Sequence, residues 1–155
     1  MLIQRLEGEA DERASFVQKK AHKQWVWIAM DAQSRQVMAF HVGDRSHTSA
    51  EHLWAKIPQV YRPHAPFYTD QYVVYAKVIP AVQHQAISRL ARKTNHSERF
   101  NNTLRQRVSR LVRDALSFSN KLANHIGALK LFICHYNLTR AAEESEHYLE
   151  CTTED

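Results

Sequence analysis

Hydrophobic and polar positions alternate and cluster along this chain in a way that lays out most of its elements. Gln24–Met30 reads Gln-Trp-Val-Trp-Ile-Ala-Met, an aromatic and β-branched run that predicts a largely buried strand. Asp31-Ala-Gln-Ser-Arg35 is polar turn material in which Asp31 serves as a turn acid, and residues 36–42 predict a second strand, so the two make an antiparallel hairpin. Arg13–Val17 is a shorter strand candidate pairing on the hairpin's other side. Ser46 to Ser49 supply helix caps, and Leu53, Trp54 and Ile57 follow at helical spacing over 50–60, with Glu51 suited to a first turn. Pro66-Phe-Tyr-Thr-Asp70 predicts a short buried strand that ends in an acid. A short helix over 71–78 and a strand over 85–89 come next.

A long helix is expected over 95–113, with Phe100, Leu104, Val108 and Leu111 as its apolar stripe. Ser119 is placed to cap a last helix whose core face is Leu122, Ile126, Leu129 and Ile133, with Cys134 a buried thiol. Three antiparallel strands followed by strand–helix alternation imply an α/β (α+β) fold, a mixed sheet with helices on both faces. The length of 155 residues suits one domain, read as 1–140, and the glutamates from Glu143 onward mark 141–155 as an acidic, flexible tail.

Composition narrows the class. A 44% hydrophobic content builds a core, and three Gly and four Pro argue against a disordered chain. No apolar run reaches the ~18–20 residues of a membrane span, and the acidic N-terminus lacks a secretory signal, so a cytoplasmic protein is expected. Two cysteines, Cys134 and Cys151, make neither a disulfide framework nor a zinc site. The ten histidines form no ligand constellation, and His96, beside Glu98, reads as a packing or solvent residue.

Charge changes the picture more. The net charge is +5, and eight cations (Arg89, Arg92, Lys93, Arg99, Arg105, Arg107, Arg110 and Arg113) stand between Ser88 and Arg113 against one acid, Glu98. Basic charge gathered in one segment is the footprint of a nucleic-acid partner, and arginine's planar fork suits phosphate.

Three acids stand out by context. Asp70 follows a buried strand at the carboxyl edge of the sheet, Glu98 opens the basic helix, and Asp11 precedes the first strand beside Glu12. Each has an ordinary alternative. Asp70 suits an N-cap, Glu98 suits a capping box with Asn95 or a pair with Arg99 or Arg105, and Asp11 suits a solvated terminus. Together, three carboxylates from two strands and a helix are a donor set for two Mg2+ (or Mn2+) ions. Such ions, ~3.5–4 Å apart, activate the attacking oxygen and stabilise the leaving one in phosphoryl transfer. Asn101, Asn102 and Arg105 fall three, four and seven positions after Glu98, on the same helical face.

The segments 31–45, Phe67-Tyr-Thr-Asp-Gln-Tyr72 and Thr94–Leu111, extended by Leu116-Ser-Phe-Ser119 and His135-Tyr-Asn137, resemble transposases of the first-described bacterial insertion-sequence family. The resemblance spans about residues 10–140 and is most specific over 95–111. It implies a ribonuclease-H-like fold similar to retroviral integrases and a metal-binding triad of Asp11, Asp70 and Glu98. By the same resemblance the triad directs water onto a phosphodiester at the element's end, and the freed 3′-hydroxyl then attacks target DNA. Arg92, Lys93, Arg99, Asn102, Arg105 and Arg110 are the expected DNA contacts. Double-stranded DNA, further copies in a synaptic complex and a nucleoid location are implied partners and place.

Ala14 stands where the family carries Trp, and no Cys precedes Cys134 to build the family's N-terminal zinc-binding region. The chain is therefore expected to work with an upstream DNA-binding segment from another reading frame, or to be a truncated relic or catalytic fragment. The competing readings are a ribonuclease-H-like nuclease that only hydrolyses, and an inactive DNA-binding module.

Overall fold

The computed structural model describes residues 6–16, 23–87, 97–100, 102–103 and 122–152. Its elements are β1 (Gly8–Phe16), β2 (Lys23–Asp31), β3 (Val37–Gly43), α1 (His47–Lys56), β4 (Phe67–Thr69), α2 (Val73–Val78), β5 (His84–Ala86) and, after a helical segment at 97–100 and 102–103, α3 (Leu122–Thr152). Five strands form one sheet in the order β3-β2-β1-β4-β5. β1, β2 and β3 pair antiparallel, whereas β4 runs parallel to both β1 and β5. This is the mixed α/β sheet expected from the element order, and it is compatible with a ribonuclease-H-like fold.

Strand alternation sorts the core into two layers. On one face Ala10, Trp27, Ala29 and Ala39 meet Ala50, Leu53 and Ile57 of α1 and its exit, together with Phe67, Tyr75 and Ile79. Small alanines on three strands leave room for bulky rings: Trp27 stands edge-on to Tyr75 at 5.7 Å and Trp54 to Phe67 at 5.1 Å. On the other face Val26, Ile28, Met30 and Val37 pack on Phe100, Leu129, Phe132 and Ile133. Helices therefore cover both faces.

Local chemistry explains most boundaries. Ser46 caps α1 by accepting the Ser49 N–H at 3.4 Å. Asp31 is the turn acid: it accepts from the Gln33 N–H and the Ser34 hydroxyl, while Arg35 takes φ 58° to close the hairpin. Tyr61 also donates to Asp31 at 2.9 Å, and burial with that carboxylate pushes its hydroxyl up to about 12. A side chain at Gly8 would meet the Phe67 ring at 2.4 Å, so glycine is what lets β1 and β4 close up.

Several expectations are corrected. β1 begins at Gly8 rather than Arg13, so Asp11 lies inside the strand and not ahead of it. Its polar residues hid it, because Glu9 and Glu12 are buried by partners distant in sequence. The core face of α3 runs through His125, Leu129, Phe132 and Ile133; Leu122 is exposed and Ile126 only half-buried. Cys134 is exposed, about 100° around the helix from Ile133. The helix α3 extends through residues 141–152. Glu51 lies past the first turn of α1 and pairs with His47 at 3.4 Å instead of serving the helix dipole. Leu104, Val108, Leu111 and Ser119 lie outside the described residues.

Asn137 fastens α3 to the sheet edge. Its side-chain amide donates to the Val37 carbonyl at 2.9 Å and accepts the Val37 N–H at 2.8 Å, replacing a neighbouring strand. Among the described residues no helix is long and apolar enough to cross a membrane.

Candidate active site

The parallel pairing of β1 with β4 sets the site. Gly8 lies opposite Phe67 and Glu9 opposite Tyr68, so two further residues along each chain bring Asp11 beside Asp70. This is the carboxyl end of β4, where sheets of this kind carry their sites. Because β4 stops at Thr69, β1 beyond Glu9 loses its partner on that side and its carboxylates can lean into the gap. Asp11, Glu12 and Asp70 each place one oxygen within 4.8 Å of the other two. Asp11 and Asp70 are half-buried and Glu12 is buried.

Asp70 is held by its own loop. Its Oδ1 accepts the Tyr72 N–H at 3.0 Å, and its carbonyl accepts the Thr69 hydroxyl, which also meets His84 Nε2 at 2.7 Å. The N-cap alternative for Asp70 is thus met only as a turn: the cap residue of α2 is Tyr72, and it has no side-chain cap bond.

Glu12 is the residue that sequence reasoning passed over. Its Oε1 accepts from Arg45 Nη2 at 2.8 Å and its Oε2 from the Tyr75 hydroxyl at 2.5 Å. Burial raises its pKa, the two hydrogen bonds oppose that, and Asp70 adds to the rise. Tyr75 is held well above its ordinary value by burial and by the same carboxylate. The signal available in the sequence was the doublet Asp11-Glu12 itself, whose two side chains leave a strand on opposite sides.

Glu98 lies outside the carboxylate group. Ser97 and Phe100 occupy the buried side of its helical segment, at 0% and 1% exposure, which turns Glu98 to solvent. The segment is anchored close by: the Ser97 N–H donates to Glu9 Oε2 at 3.0 Å, and Arg13 donates to Asn102 at 3.3 Å. Glu9 and Arg13 flank Asp11 on the same side of β1, so the short helical segment carrying Ser97 and Asn102 lies on the face from which Asp11 projects. Arg99 and Asn102 are exposed. Arg92, Lys93, Arg105 and Arg110, with Asn95 and His96, lie outside the described residues.

The donor set of Asp11 and Asp70 is hard, anionic and partly open to solvent, which suits Mg2+ or Mn2+. Both Glu12 oxygens already accept hydrogen bonds, which suits it to supporting the pair.

A family profile described as IS1 transposase matches residues 5–137. The insertion element iso-IS1n protein InsB of Shigella dysenteriae is 31% identical over 132 residues, covering 81% of this chain and 92% of that protein. The insertion element IS1 protein InsB of Shigella flexneri is 32% identical over 118 residues, covering 76% of this chain and 86% of the relative. An InsB protein of IS1 in Escherichia coli K12 is 30% identical over 123 residues, 76% of this chain and 68% of the relative.

Proposed function

The chain belongs to the IS1 transposase family, and from that premise we propose that it cuts and joins DNA strands at the ends of an insertion element. The observation that carries this reading is the meeting of Asp11 and Asp70 at the carboxyl end of β4, beside an anchored basic segment. Asp11 and Asp70 would hold Mg2+ or Mn2+, with Glu98 as the third acid of the site. Metal bound there supplies Lewis-acid activation of the attacking oxygen and charge stabilisation of the leaving one.

The chain's own residues bind and orient. Arg99 and Asn102 face solvent on the segment that crosses the Asp11 side, where they meet DNA backbone; Arg92, Lys93, Arg105 and Arg110 extend that contact. Water is directed onto the phosphodiester at the element's end, the P–O bond to the leaving strand breaks, and a 3′-hydroxyl is freed. That hydroxyl then attacks a target phosphodiester, joining one strand as it displaces another. A second copy and an upstream DNA-binding segment complete the assembly in this reading. One observation favours a second reading, a DNA-binding module without catalysis: the outward position of Glu98.

Duplex oligonucleotides carrying the element's own terminal sequence test both. With Mn2+ the chain should nick and transfer strands, and Asp70→Asn or Glu98→Gln should reduce both products to background. DNA affinity by gel shift should stay within about twofold of the unaltered chain, since neither change touches a phosphate contact. Unaltered cleavage in Asp70→Asn would remove the acid pair from the chemistry. DNA binding without cleavage in the unaltered chain would select the second reading.

A further inference from the structure

The two acids of the site come from separate parts of the chain. Asp11 is on β1, and Asp70 is in the loop after β4. One side chain from a third place, the loop after β3, touches the neighbours of both. Arg45 Nη2 donates to Glu12, the residue next to Asp11, at 2.8 Å. The Arg45 guanidinium also lies over the Tyr72 ring at 4.1 Å, and Tyr72 donates its backbone N–H to Asp70 at 3.0 Å. Tyr72 returns the contact by donating its hydroxyl to the Arg45 carbonyl at 2.9 Å. The guanidinium carbon also lies over the Trp25 ring at 4.6 Å. The path Asp11–Glu12–Arg45–Tyr72–Asp70 is therefore a continuous loop of covalent bonds and direct contacts around the acid pair.

The Arg45 backbone is itself held. Trp27 donates its indole N–H to the Asp44 carbonyl at 2.9 Å, and the Asp44 carboxylate accepts from the hydroxyls of Ser46 and Ser49. The far oxygen of Glu12 is fixed by Tyr75, in α2, at 2.5 Å. Rotamers locked on both sides are what a site needs to hold two ligands at a set separation. Arginine suits this place, because its guanidinium lies over two aromatic rings while donating to a carboxylate, and lysine's single ammonium has no planar face to lay on a ring.

We propose that Arg45 is a positioning residue for the site: held against Trp25 and Tyr72, it sets the separation of Asp11 and Asp70 through Glu12 and Tyr72, and so sets the divalent-metal affinity of the pair. The proposal rests on the reading of Asp11 and Asp70 as metal ligands, and its test separates the two.

Mn2+ binding to the purified full chain is measured directly, by the loss of the free-ion electron paramagnetic resonance signal, for the unaltered chain and for Asp70→Asn, Arg45→Lys, Tyr72→Leu and Tyr72→Phe. Circular dichroism and urea melts establish folding in each. Arg45→Lys and Tyr72→Leu should each weaken Mn2+ binding by roughly 10–100-fold, the usual effect of losing a residue that orients metal ligands. Tyr72→Phe keeps the ring and should lose less than about threefold. DNA affinity in gel shifts should not follow, which a general loss of structure would not reproduce. If Arg45→Lys does not fold, the partly exposed Tyr72→Leu carries the same test. Mn2+ affinity within about twofold of the unaltered chain in the folded Arg45 and Tyr72 variants, with binding lost in Asp70→Asn, overturns the positioning role and leaves the metal reading standing. No Asp70-dependent Mn2+ binding in the unaltered chain overturns both.

Discussion

Glu9 and Glu12 stand three residues apart on one strand and are buried on opposite faces of the sheet, at 1% and 7% exposure, by different means. Glu12 is gripped by side chains, Arg45 and Tyr75, in the layer that α1 and α2 build directly from the chain following the hairpin. Glu9 accepts a backbone N–H from Ser97, in a helical segment that must dock from the second half of the chain. One face is thus a frame closed by neighbouring elements, with rings set against alanines. The other is a docking surface, on which Phe100 and α3 settle against β-branched strand residues. Asp70 follows β4 in the half of the chain that builds the frame, Asp11 projects from β1 on the Glu9 side, and the residue offered as third acid rides on the docked layer. Asp11 and Asp70 converge because the parallel register of β1 and β4 sets them side by side, whereas Glu98 depends on how its segment docks and faces solvent.

The largest effect should come from breaking the frame. Trp27 is 0% exposed and edge-on to Tyr75, so Trp27→Ala should cost about 3–5 kcal/mol in urea melts. A loss no larger than that of an exposed substitution would mean that the ring layer is not the frame. Leu129→Ala, in the docked layer, should cost near the lower end of ~2–5 kcal/mol, because a docked helix can shift to refill the space. It should also release Phe100 and the 97–103 segment, seen as faster amide exchange there, while exchange in β1 and β2 is kept. Uniform acceleration across the sheet would erase the distinction between the faces.

Smaller changes sharpen it. Glu9→Gln replaces the carboxyl acceptor for the Ser97 N–H with a weaker amide one and should cost about 1–2 kcal/mol, with the Ser97 amide exchanging faster. An unchanged Ser97 amide would free Glu9 from its anchoring role. Acid should also loosen the docked face. His125, buried on α3, has a pKa lowered by burial from 6.5, so the unfolded chain binds more protons between the lowered value and 6.5. Its contribution is fully present above about pH 6.5 and is lost as the pH falls through the folded value. Urea midpoints should fall on acidification, and His125→Gln should flatten that slope; an equal slope in the variant would assign the effect elsewhere. The smallest effect is expected at Cys134, on the solvent side of α3: Cys134→Ser should change stability by less than about 0.5 kcal/mol. Native Cys134 should react promptly with a thiol reagent, and protection would show that something covers that side of the helix.

Where side chains met in pattern, the sequence was readable. The hairpin of β2 and β3, α1 with its Ser46 cap and β4 ending ahead of Asp70 all follow from alternation, caps and turn residues, since each depends on neighbours within a few positions. The first half of β1 is not legible, because Gly8-Glu-Ala-Asp-Glu-Arg-Ala14 has the composition of a solvated segment. Nothing local reveals that Glu9 meets Ser97, 88 residues away, or that Glu12 meets Arg45, 33 residues away. In α3 the face expected at Leu122 and Ile126 lies one position from the buried His125, because the helix is apolar on more than one side and a histidine carries no hydrophobic signal.

What the sequence by itself determined is the order of elements, the class of sheet, the basic segment and the family, all local patterns or matches to a family. What only the tertiary structure decided is which acids meet. Parallel register carries Asp11 to Asp70, the end of β4 opens the gap that admits Glu12, and Arg45 ties the two sides together. Those outcomes depend on strand register and on contacts between residues distant in the chain, and a one-dimensional pattern encodes neither.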